Sequence, residues 1–310
     1  MNKTAYGKHA SAATAMFLLG DAVLVLPDSG SGTYALFGFL LALVPALLLY
    51  AGMLWTANRL FADPKHNKGA WRWCSVAGTL FAAAAAFACA GICFKRFVSF
   101  AHTVMLSGTP KIWIALIFAV TVVFLLFQRN SVLLKLSLLL FVLSCFVILL
   151  FFILSVKDFK VSNIAVYYFP DLSVVWKETR PFLVSVALPA AVVPVVQAVL
   201  FGKTEKKIAF TGFVSGMLLQ ALCLADCLLL FGAQLASRLS YPLYSAVGTV
   251  TVGPLFTRMD GVIYYLFFSS ALIKTTASLK TGAALCLKWR TSDSARLHNL
   301  FDEAQQEAYT

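Results

Sequence analysis

Between residues 132 and 156 the chain carries a single charged side chain, Lys135, amid leucine, isoleucine, valine and phenylalanine. A helix needs roughly 20 apolar residues to cross a hydrocarbon core about 30 Å thick, and only structures that satisfy their own backbone hydrogen bonds can do so. Seven further stretches have the same character, giving spans at 10–26, 34–57, 76–94, 112–127, 132–156, 182–201, 208–233 and 261–287. Barrel strands would instead be about ten residues long with alternating polarity, a pattern that does not occur. The expectation is an all-α integral membrane protein with about eight transmembrane helices.

Composition agrees. Of 310 residues 60% are hydrophobic and 12% charged, about half the charge of a soluble domain, and mean hydropathy is +0.84. The net charge of +12 reads as the Lys and Arg of cytoplasmic loops. Nucleic acid is not an expected partner, because no basic run interleaved with aromatics stands outside the apolar spans; the lipid bilayer is. With the N-terminus inside, fourteen of the 25 Lys and Arg fall on the inner side and nine on the outer, with Lys274 and Lys280 within the last span. Both termini are then cytoplasmic, and the first span is not a cleavable signal. Residues 1–290 form the transmembrane domain and 291–310 a short cytoplasmic tail.

Neither an enzyme nor a cofactor is expected. His9, His66, His102 and His298 sit in tails, in loops or near a span end, with no nucleophile, phosphate loop or metal-ligand spacing beside them. Cys89 and Cys93, like Cys223 and Cys227, share a helix face without convergent acidic or His neighbours, so they read as small packing groups.

Two spans look breakable. The first has Gly20-Asp21-Ala22 at mid-depth, followed by Pro27; the sixth has Pro189-Ala190 and then Pro194. Each proline deletes a backbone donor and crowds the preceding turn. Discontinuous helices at matching places in two halves of a chain mark the substrate site of many transporters, while prolines also kink membrane helices for packing alone. Asp21, Asp226 and Lys274 lie deep in apolar runs, where a charge costs roughly 2.5–3.5 kcal/mol on insertion scales and so faces the bundle interior. Lys274 shares a face with Ser270, Ser278 and Thr281. It either ties helices together through Asp21 or Asp226, or stands where a coupling cation would bind. The candidate ligand-binding residues are Gly20, Asp21, Ala22, Pro189, Ala190, Pro194, Ser270 and Lys274. The two outer segments, 157–181 and 234–260, carry aromatics suited to an interfacial belt or to a folded lid.

Tyr241-Pro242-Leu243-Tyr244, then Gly253-Pro254-Leu255-Phe256-Thr257-Arg258-Met259-Asp260 and Ile273-Lys274, resemble the endospore germination permease family. Phe94-Lys95-Arg96-Phe97 through Thr109-Pro110, the stretch from Asn163 to Pro170, and Gly20 with Pro27 resemble other parts of it. These are the B-type subunits of nutrient germinant receptors. The resemblance implies the amino acid/polyamine/organocation (APC) superfamily and a leucine-transporter-like bundle with discontinuous helices 1 and 6. It implies a small nutrient ligand such as an amino acid, A-type and C-type partner subunits, and a spore inner or cytoplasmic membrane. Family members have ten helices, so the resemblance implies a version lacking the last two. They often carry an acidic residue after the sixth-helix break, where Val192-Val193-Pro194-Val195-Val196-Gln197 stands here, and a small neutral residue in place of Asp21. Three functions follow: a germinant-sensing subunit, a proton-coupled amino-acid transporter, or a non-transporting scaffold derived from one.

Overall fold

In the computed structural model the residues described are 3–22, 35–62, 70–163, 172–201, 206–236, 238–249 and 260–307. They form α1 (Lys3–Ala22), α2 (Ala35–Ala62), α3 (Ala70–Phe100), α4 (Lys111–Phe127), α5 (Asn130–Ser155), α6 (Leu172–Val196), α7 (Lys206–Ala236), α8 (Pro242–Thr249) and α9 (Asp260–Glu307). No strand occurs among the described residues. Each expected span overlaps a helix over its described residues, and α8 lies within the segment 234–260.

Among the described residues four segments are long and apolar enough to cross a membrane: Phe37–Ala57, Ala77–Met105, Asn130–Asp158 and Lys207–Gly232. Lys111–Phe127 and Val186–Leu200 are apolar but shorter. Their outward faces are greasy. On α4, Ile112, Ile117, Val120, Phe124 and Phe127 are exposed, while Ile114, Phe118, Val122 and Leu125 turn inward. Apolar surface on that scale belongs in hydrocarbon rather than water, so this is a helical membrane protein.

Two helices occupy the centre. Residues 12–19 of α1 and 269–278 of α9 are buried without interruption, and a helix buried all round has neighbours on every side. α1 packs on α5, α6, α7 and α9; α9 also packs on α3 and α4; α2 lies along α6. The α1–α7 approach is close because α7 presents Gly212 and Gly216 four residues apart. A Cβ on Gly212 would sit 2.6 Å from the Ser11 carbonyl oxygen, and one on Gly216 would sit 3.0 Å from Leu18. Small residues at this spacing let membrane helices touch backbone to backbone.

The expected break in the sixth span is not where the prolines stand. α6 is α-helical through Pro189 and Pro194, and a π-helical segment, Gln197–Phe201, follows directly. Neighbouring helices and local widening absorb the donors lost at proline, so the irregularity falls one turn later. Gly20, Asp21 and Ala22 likewise close α1 as regular helix, while Pro27 and the side chain of Asp21 lie outside the described residues.

A genuine backbone break lies elsewhere, in α7 at Gly232, with φ 70° and ψ 163°. The turn frees the Leu229 carbonyl, which accepts from the Asn163 side-chain amide (3.0 Å) and from the Lys160 N–H (3.1 Å). Beyond it, Pro242 opens α8 at the first helical position, where its missing donor costs nothing. Leu243, Tyr241 and Tyr244 pack in one cluster with Phe100, the Tyr241 ring meeting Phe100 edge-on at 5.0 Å. α8 is therefore packed onto the bundle.

Candidate functional site

A buried polar junction lies among α1, α6 and α9. Thr14 of α1 is 2% exposed, and its hydroxyl donates to the Ala10 carbonyl one turn back at 2.9 Å. It thereby accepts from Gln197 Nε2 at 2.6 Å. Gln197 is the first residue of the π-helical segment, so the widened turn carries its amide toward α1. On the other side the Tyr50 hydroxyl of α2 lies 3.2 Å from Gln197 Oε1 and 2.8 Å from the Ala209 carbonyl of α7. The chain of bonds thus ties α2, α6, α1 and α7 at one level. Tyr50 is stacked on Phe213 at 4.3 Å, and an unbonded hydroxyl so placed would cost about 1–3 kcal/mol.

Lys274 enters from α9. It is 1% exposed, and its Nζ stands 5.5 Å from the centroid of the Phe17 ring on α1. The ring quadrupole attracts a desolvated cation by about 2 kcal/mol, one contribution toward holding a buried ammonium. Ile273 and Ala277 beside it help wall a cavity of about 10 Å³ with Thr14, Phe17, Ser137 of α5 and Gln197. That is room for one water and not for an amino acid. The cavity's walls are mostly apolar, with Thr14, Ser137 and Gln197 as the polar lining side chains.

The candidate residues are distributed unevenly around this junction. Ala190, like Phe17, Val193 and Ile273, belongs to the core cluster around it, and Pro189 and Pro194 are buried on α6. Ser270 is buried, but its hydroxyl turns back to the Phe267 carbonyl of its own helix at 3.2 Å. Gly20, Asp21 and Ala22 end α1 nearly two turns beyond Thr14. Pairing of Lys274 with Asp226 is not seen: Asp226 lies in another cluster, between α5 and α7, and neither of its oxygens has a hydrogen-bond partner among the described residues. Thr14, Gln197 and Tyr50 were not anticipated. Gln197 offered a signal, as an amide three residues after the second proline of the sixth span.

Facing α9 lies a second polar contact. Lys280 Nζ donates to the Gln128 carbonyl, and the side chain of Asn130 donates to the Leu200 carbonyl at 3.2 Å. It ties α9 and the start of α5 to the far end of the π-helical segment. No family profile matches the chain, and no curated protein matches it.

Proposed function

We propose that this is a permease-like membrane subunit that binds a small nutrient carrying a carboxylate, an amino acid being the simplest, at the junction of α1, α6 and α9. The observation that carries the reading is Lys274, a fully buried side chain of α9 whose Nζ faces the Phe17 ring of α1. Its ammonium is the chemical complement of a ligand's carboxylate, with the Thr14 hydroxyl and Gln197 amide supplying polar contacts. Admission of a ligand requires α6 to part from α1 at the Thr14–Gln197 bond, so binding would bias the balance between a closed and an open bundle by its differential affinity for the two. The resemblance to germination permeases supports assigning the subunit to a nutrient germinant receptor with A-type and C-type partners in a spore inner membrane, and a leucine-transporter-like arrangement of eight crossings.

The test is a thermal-shift screen of the purified protein against a panel of L-amino acids. A subset is expected to stabilise the wild type, and Lys274→Met is expected to abolish that shift. No response to any amino acid, or an undiminished response in Lys274→Met, overturns the assignment. The one-water cavity favours a second reading, a non-transporting scaffold; labelled amino-acid uptake into proteoliposomes with a proton gradient separates a transporter from both.

A further inference from the structure

A second buried polar group stands apart from that junction. Asp226, on α7, is 2% exposed and lines its own cavity of about 10 Å³, walled by Ile148 and Phe151 of α5, Leu222 and Cys223 of α7, Leu243 of α8 and Leu266 of α9. Asp226 is the one lining residue whose side chain bears oxygen, and neither of its carboxyl oxygens has a hydrogen-bond partner among the described residues.

What such a site can hold follows from its chemistry. Hard metal cations take about six or more oxygen ligands, and here one carboxyl faces hydrocarbon. A bare carboxylate in that setting costs several kcal/mol. Ser155 of α5 is the neighbouring polar side chain, and its hydroxyl proton is spent on the Phe151 carbonyl at 2.8 Å. A hydroxyl so engaged has no proton left to donate to a carboxylate, and both Asp226 oxygens stand without a donor among the described residues. The titratable groups in the surrounding cluster are thiols and phenols: Cys145 of α5, Cys223 and Cys227 of α7, Tyr241 and Tyr244 at α8, and Tyr264 of α9. None supplies positive charge, and no cation contacts the carboxyl among the described residues.

We infer that Asp226 is a proton-binding site, its carboxyl carried as the acid in this apolar cavity. The site is separate from the nutrient junction, so a proton-loaded state of the bundle exists whether or not a nutrient is bound.

The test uses the full chain in lipid nanodiscs, with no nutrient present, by infrared spectroscopy at neutral pH. Protein labelled with carboxyl-¹³C aspartate is expected to show the carbonyl stretch of a protonated acid, displaced by the label and shifted downward in D₂O. Asp226→Asn is expected to lose that band. Asp226→Glu is expected to keep an acid band but lose its response to the aspartate label, and it serves should the asparagine variant misfold. Absence of a label-sensitive acid band in the wild type, its persistence in Asp226→Asn, or continued label sensitivity in Asp226→Glu overturns the inference.

Discussion

Gln197 Nε2 lies 2.6 Å from the Thr14 hydroxyl, so two residues 183 positions apart in the chain hold α6 to α1. The bond forms because α6 widens into a π-helical turn at Gln197, and such turns collect at functional positions.

Thr14→Val keeps the shape of the side chain and removes the acceptor. The Gln197 amide is then left buried with a lost partner, at a cost of about 1–3 kcal/mol. Membrane double-mutant cycles average nearer 0.6 kcal/mol, since the unfolded chain in a bilayer also finds partners. We expect about 1 kcal/mol of destabilisation for Thr14→Val, and a smaller added loss when Gln197→Met is combined with it than when it is made alone. Reversible denaturation in bicelles measures both. Strictly additive losses would mean that the two side chains do not share a bond.

Gly232 should resist substitution. With φ 70° and ψ 163° it lies in a region that is essentially glycine's alone and costs an L side chain about 1–3 kcal/mol, and an added Cβ would meet Asn163 at 3.3–3.6 Å. Gly232→Ala is expected to lose about 1–3 kcal/mol by that route. Asn163→Ala removes one of the two donors to the Leu229 carbonyl, a loss of about 1 kcal/mol. If Gly232→Ala proves as stable as the wild type in the same denaturation assay, the kink is not held by this contact.

How much of this was legible follows from the range of each cause. The helices were readable because runs such as 132–156 have one stable form in hydrocarbon. Lys274 was readable as an interior residue because a charge amid Leu272, Ile273 and Ala277 has nowhere else to go. The course of α6 through Pro189 and Pro194 was not, because what a proline does to a helix depends on whether neighbours receive the freed carbonyls. The Gly232 break was missed for the same reason: glycines are common in membrane helices, and what stabilises this turn is Asn163, 66 residues from Leu229 whose carbonyl it caps. Thr14 reads locally as one more small residue of α1, and its role appears only when Gln197 arrives from across the bundle.

The α1–α7 contact gives the sharpest contrast between glycines. Gly212 faces the α1 backbone so closely that a Cβ would stand 2.6 Å from the Ser11 carbonyl oxygen and 2.9 Å from the Ser11 Cα. Backbone cannot step aside as a flexible side chain can, so Gly212→Ala must push the central helix away from α7. Overpacking of this kind costs about 1–3 kcal/mol, and it should propagate, since Thr14, whose Cβ lies 2.9 Å from the same point, also holds Gln197. Gly52 on α2 and Gly91 on α3 have nothing within 4 Å of an added Cβ, and alanine there gains helix propensity. Gly52→Ala and Gly91→Ala should therefore match or exceed the wild type in thermal stability and monodisperse yield, while Gly212→Ala falls below it. Equal behaviour of all three variants would mean that α1 and α7 do not meet along this glycine face.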